Sequence, residues 1–149
     1  MDDDALQEDP DRVALEGVIQ VLTPLRQHRQ ARAERAQRQA QQALETGREQ
    51  LAQARDELAD ETIRQVQQRQ ALATEHLNHA MTLTEVDRWH DKERTLLDHL
   101  SLLRQGIEQQ RRAVLERQQA VLDAQHSAKA AQRATEKLAC LAEAIADES

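Results

Sequence analysis

Three histidines are the first residues of this chain with chemistry to offer. His76, His79 and His90 fall in one short stretch, with Asp87 and Asp91 beside them. His76 and His79 are three apart, so a helix would place them on one face. A zinc site needs three or four converging ligands and a supporting shell. No recognised metal-ligand spacing occurs here, so solvated surface histidines are the expectation, and neither a metal nor another cofactor is expected. A second cluster is cationic. Arg26, Arg29, Arg32, Arg35 and Arg38 recur at every third residue, with Glu34 the one acid among them. On a 3.6-residue helix this spacing drifts, giving a slow spiral of charge. Such a spiral is either a solvated face or an electrostatic contact for an acidic partner. The single tryptophan, Trp89, stands in MTLTEVDRWH (81–90), in a chain with no Phe or Tyr. It can plug the mouth of a helical bend, anchor a partner, or do both. No Gly-rich phosphate loop, G-x-S-x-G or H-E-x-x-H stretch is present, so no enzyme is expected.

The elements that must carry these residues are helical. Of 149 residues, 1% are aromatic and 32% charged, and alanine makes up much of the 39% hydrophobic share. A globular core relies on aromatic and branched side chains, whereas this usage is that of a coiled coil or long helix. With three Gly and two Pro, and with periodic apolar residues, disorder is the weaker reading. The net charge is −7, and the first eleven residues, MDDDALQEDPD, hold six acids and no base. The remainder is nearly balanced, which disfavours a nucleic-acid binder. No apolar run approaches the roughly 18–20 residues that span a bilayer, and the acidic start lacks the features of a Sec signal. Cys140 has no second cysteine to pair with. A cytoplasmic chain, not inserted in a membrane, is expected.

Residues 1–12 read as a disordered acidic tail. The apolar segment VALEGVIQVL (13–22) reads as a short lead-in with no obvious partner, and Thr23-Pro24 as the cap and first residue of a long helix. This first arm is expected over about 24–81, the bend over about 82–84 and the second arm over about 85–146. Thr82 with Glu85 has the form of a capping box at the start of the second arm. Arms of about 60 residues would each run roughly 90 Å. The fold class expected is all-α, a long antiparallel two-helix coiled-coil hairpin forming one domain over 13–146.

The second arm carries the strongest signal. Heptad position a falls at Val86, Glu93, Leu100, Ile107, Val114, Val121, Ala128, Thr135 and Ala142, and position d at Trp89, Leu96, Leu103, Gln110, Arg117, Ala124, Ala131, Leu138 and Ile145. Fourteen of these eighteen are apolar, alanine included, which marks a coiled-coil seam. The first arm offers one seam through Ala36, Ala40, Leu44, Gly47, Leu51, Ala54 and Leu58. A second, displaced by one residue, runs through Ala59, Ile63, Val66, Ala73, Leu77 and Ala80. A change of winding near Leu58 and Ala59 is expected. Folding about residue 82 sets Ala33, Ala36 and Ala40 against Ala131, Ala128 and Ala124, and Gly47 against Arg117. Ile63 and Val66 would face Leu100. The half near the bend should therefore be held more firmly than the open half.

Three stretches resemble the type III secretion stalk proteins, the YscO/FliJ-like group. They are LTPLRQHRQARAERA (22–36), LTEVDRWHDKERTLLDHLSLLRQGI (83–107) and KAAQRATEKLACLAEA (129–144). The resemblance implies a central stalk like the γ subunit of rotary ATPases, linking a hexameric export ATPase ring to the cytoplasmic domain of the inner-membrane export gate. It places the end carrying both termini towards the ATPase, with Arg26, Arg29, Arg32, Arg35, Arg38, Ala36 and Ala128 as the facing residues. The bend, with His76, His79, Met81, Arg88 and Trp89, would face the gate. The flagellar relative uses aromatic residues in its gate contacts, and this chain has no Tyr or Phe to match them. The chain would be a monomeric hairpin in isolation, with secretion chaperones as further partners. Competing readings are a secretion chaperone or escort acting through 13–22, a generic coiled-coil assembly formed through Leu97, Leu115 and Leu122, and a nucleic-acid binder acting through the arginines.

Overall fold

A computed structural model describes residues 9–77 and 80–148. The chain folds into two long α-helices packed against each other, α1 (Pro10–His76) and α2 (Leu83–Asp147). This is the all-α helical hairpin that the heptads of the second arm require.

The first helix starts earlier than Thr23-Pro24. Asp9 is its cap, with Oδ1 accepting a hydrogen bond from the Asp11 amide at 3.1 Å. Pro10 takes the first helical position, where a missing N–H costs nothing. The same cap-then-proline pattern occurs at Thr23-Pro24, yet Pro24 sits inside α1. There Thr23 turns its hydroxyl back onto the Ile19 carbonyl at 2.7 Å. Two sites carry the same start signal, and tertiary packing of the segment between them decides that the first is used. The first helix also stops at His76 rather than near residue 81. The capping box forms as expected: the Glu85 amide donates to Thr82 Oγ1 at 3.3 Å, and the Thr82 amide to Glu85 Oε2 at 3.4 Å.

The heptads of α2 hold without exception. All eighteen a and d positions from Val86 to Ile145 are buried or half-buried, including the four polar ones. Two helices make a core one side chain thick, and among the described residues no large side chain is completely shielded.

The chain divides into two compact units, one of Met1–Gln42 with Gln118–Ser149 and one of Ala43–Arg117. In the first, Ile19, Leu138 and Ile145 form a buried cluster, with Leu22 and Ala142 packed against it. Segment 13–22 thus finds the partner that the sequence left open, although Val13, Leu15, Val18 and Val21 stay exposed. Arg12 donates from Nη2 to the Ile145 carbonyl at 3.0 Å while its Nε meets Glu16 at 3.3 Å. The last turn of α2 has no basic residue of its own. Arg12 therefore brings a cation to that negative helix end from the other helix. Arg26 Nη1 reaches the Ala134 carbonyl at 2.9 Å in the same manner.

In the second unit the seam of α1 does not shift at Leu58 and Ala59. Leu44, Gly47, Leu51, Ala54, Leu58, Glu61, Thr62, Gln65, Leu72 and His76 are the screened residues, continuing one phase. Ala59, Ile63, Val66, Ala73, Leu77 and Ala80 are all exposed, with Ile63 at 57% and Val66 at 50%. The reason lies in the partner: α2 keeps a strict repeat, and a one-residue slip of α1 would turn it by about 100° away from that repeat. Keeping phase buries Gln65 to 5% exposure, with its Nε2 unpaired. Leu100 is well buried, whereas Ile63 and Val66 leave half or more of their surface open. The expectation of a firmer bend half loses its basis, because Ile63 and Val66 are exposed and Gln65 takes the seam place beside them.

The Gly47–Arg117 pairing is present. A Cβ on Gly47 would stand 2.5 Å from Arg117 Nη1 and 3.2 Å from its Cδ. Through that gap Arg117 leaves the seam and donates from Nη1 to the Ala43 carbonyl at 3.0 Å. Arg69 Nη2 and Glu93 add an ion pair between the helices at 3.1 Å.

Candidate functional site

At the end of α1 and the start of α2 the rings of His76, Trp89 and His90 gather. The His76 and Trp89 centroids are 6.3 Å apart and tilted by 39°, while Trp89 and His90 lie 6.0 Å apart at 18°. Trp89 is a d residue, so the heptad turns it towards α1, where it meets His76 and stays half-buried. It is both plug and part of a surface. His76 and Met81 are half-buried, and Arg88 is exposed. His79 lies outside the described residues. Among the described residues, no group of three or more His, Cys, Asp or Glu gathers where a metal ion could be held. The stacked arrangement suits recognition by an apolar or cationic group, since ring faces attract cations.

The arginine spiral separates into two kinds of residue. Arg26 is half-buried and engaged with Ala134, whereas Arg29, Arg32, Arg35 and Arg38 are exposed. The sequence made these five equivalent. Their difference lies in heptad phase, because 12, 19, 26, 33 and 40 all fall on the seam of α1. Ala36, expected opposite Ala128, is exposed, and Gln37 takes its seam place. Ala128 is buried, and Ala33, Ala40, Ala124 and Ala131 are half-buried, so the small-residue seam is real without Ala36.

The same unit carries an apolar surface that continues the 13–22 segment. Val18, Val21 and Leu25 recur at a three-four spacing and are exposed, as is Leu141 of α2. Leu25 and Leu141 are the members that the apolar run 13–22 did not point to. In the other unit the half-buried Glu108 is flanked by two arginines. Its carboxylate accepts from Arg111 at 2.7 Å and lies 3.5 Å from Arg112. The Arg111 hydrogen bond, and then the charges of both arginines, hold the Glu108 carboxyl below the usual glutamate range.

Among the described residues, no helix is long and apolar enough to cross a membrane. Compared with known proteins, the chain matches no family model, no curated protein and no solved structure.

Proposed function

We propose that this chain is the non-catalytic central stalk of a type III secretion export apparatus, a virulence-associated protein-transport machine. It acts at the cytoplasmic face, where it couples the hexameric export ATPase to the cytoplasmic domain of the export gate. The observation that carries the reading is a hairpin of two near-equal helices, 67 and 65 residues, that use their heptad seam on each other. A part of this kind transmits position or force along its length and needs no pocket. The three quoted stretches that resemble the stalk proteins support the same assignment.

The end with both termini offers the ATPase ring four exposed arginines, Arg29, Arg32, Arg35 and Arg38. Beside them it offers the apolar Val18, Val21 and Leu25. The bend offers the gate Arg88, Met81 and the partly open Trp89, which lies between His76 and His90. The test is a crosslinked pull-down of tagged protein from its native cells, read by mass spectrometry. Recovery of an export ATPase together with an inner-membrane gate protein is expected. Charge reversal at Arg29 and Arg32 should lose the ATPase and leave the helices intact. Reversal at Arg26 should disturb the hairpin itself, through its bond to Ala134.

One observation favours a second reading. Val13, Leu15, Val18 and Val21 are exposed within a segment that also packs on α2. An escort that binds secreted substrates or their chaperones would use such a face. Recovery of those proteins without the ATPase would select it and reject the stalk.

A further inference from the structure

The unit Ala43–Arg117 wears a heptad seam on its outside. Ala59, Ile63, Val66, Gln70, Ala73 and Leu77 follow one another at spacings of 4, 3, 4, 3 and 4, and every one is exposed. The inward phase beside it keeps Leu58 and Leu72 but places Glu61, Thr62 and the buried, unpaired Gln65 between them. A solvated helix normally has these two faces the other way round. An ordered apolar stripe facing water marks a contact surface.

The stripe also says what covers it. We infer that it is a docking surface for a second copy of this chain, joined by antiparallel pairing of α1 with α1 about a two-fold axis at residue 68. That operation sets Ile63 opposite Ala73 and Val66 opposite Gln70 of the second copy, and Leu77, in the turn just past the end of α1, opposite Ala59. Each branched residue meets a small or flexible one, so the stripe is its own complement, as an isologous interface requires. The outer flanking residues then meet as Gln67 with Gln67 and Asp60 with Thr74, and the inner flank brings together the two copies of Arg69, each already paired with Glu93 of its own chain. Leu97 adds to the same side. It follows the seam residue Leu96 by one place, as each stripe residue follows the seam of α1. In an antiparallel pair those positions lie on one face of the hairpin, and Leu97 is 48% exposed. A stripe this short makes a small interface, so the dimer is weak, with a midpoint on the order of 10–100 μM. The inference stands independently of the stalk reading.

The test is sedimentation equilibrium of the full chain, from a few micromolar to about 500 μM, in a Cys140→Ser background. The expected mass rises from 17.0 kDa towards twice that value. Val66→Arg should raise the midpoint at least about tenfold, with helicity unchanged because Val66 stands outside the hairpin. Gln70→Leu should lower it, which a misfolding effect would not do. The register is read by oxidation. A mixture of Ile63→Cys and Ala73→Cys chains should form a disulfide dimer. Ile63→Cys alone should not, since the two copies of residue 63 would lie about 15 Å apart. A mass that stays at 17.0 kDa throughout overturns the proposal. So does a dimer indifferent to Val66→Arg, or one crosslinked as readily by Ile63→Cys alone.

Discussion

Replacing Gly47 by alanine should be nearly neutral, and that neutrality is the informative result. In the interior of a helix, glycine to alanine stabilises by about 1 kcal/mol, because alanine loses less conformational freedom on folding. At Gly47 the new methyl would stand 2.5 Å from Arg117 Nη1, so the guanidinium must move. Moving it breaks the 3.0 Å hydrogen bond to the Ala43 carbonyl, which contributes about 1 kcal/mol for a partly solvated charged donor. The two effects offset each other. Gly106 in the same unit provides the control, for a Cβ there meets nothing within 4 Å. Gly106→Ala should therefore show the full gain, about 1 kcal/mol or roughly 2–4 °C in melting temperature for a chain of this size. Removing the arginine closes the cycle: in an Arg117→Ala background, Gly47→Ala should recover the same gain of about 1 kcal/mol. The assay is thermal and urea denaturation followed by circular dichroism at 222 nm. If Gly47→Ala stabilises the intact chain as much as Gly106→Ala does, Arg117 yields its place freely and the pairing does not fix the register.

Three further outcomes are expected. Gln65→Leu should stabilise the hairpin by about 1–2 kcal/mol, since it removes a buried amide nitrogen that has no acceptor; a destabilisation in denaturant titrations would contradict this. Ile19→Ala should cost about 2–4 kcal/mol while Val21→Ala stays within about 0.5 kcal/mol, because the first is buried against Leu138 and the second is 64% exposed. The Glu108 carboxyl is depressed in the folded chain, so its contribution is present above the unfolded glutamate range and is lost as pH falls through the lower folded value. Glu108→Gln should thus lower the melting temperature near pH 7, and the difference from the parent should vanish in acid; a difference independent of pH would refute the assignment.

The second helix was legible from its sequence down to single positions, because one helix repeating a heptad nine times admits one seam. The capping box at Thr82 and the arginine opposite Gly47 were legible for the same reason: each is set by local spacing, or by a hairpin register that tolerates a small error. The first helix was not, because it carries two apolar stripes one residue apart and periodicity alone ranks both. Ile63 and Val66 outweigh Thr62 and Gln65 in hydrophobicity, but the phase is fixed by α2. The helix start was missed because two cap-proline pairs compete, and the contact of Ile19 with Leu138 that decides between them spans the chain. Of the candidate site, Trp89 fell where its heptad position put it. The five arginines looked alike, and only the pairing of the helices separates Arg26 from the rest.

Arg12, Arg26 and Arg117 share a habit: each crosses to the opposite helix and grips a main-chain carbonyl, of Ile145, Ala134 and Ala43 respectively. The Ala134 and Ala43 carbonyls lie inside their helices and retain a second lone pair, and the Ile145 carbonyl lies in the last turn of α2, so none of the three clasps costs the helix a bond. Such a clasp asks something of one strand of the sequence only. Any residue type presents the same carbonyl, so the gripped positions are free to drift while the arginine is not. Divergent versions of this hairpin should therefore keep isolated basic residues at seam positions with no matching partner to covary with them, and methods that infer contacts from paired substitutions would pass over these three.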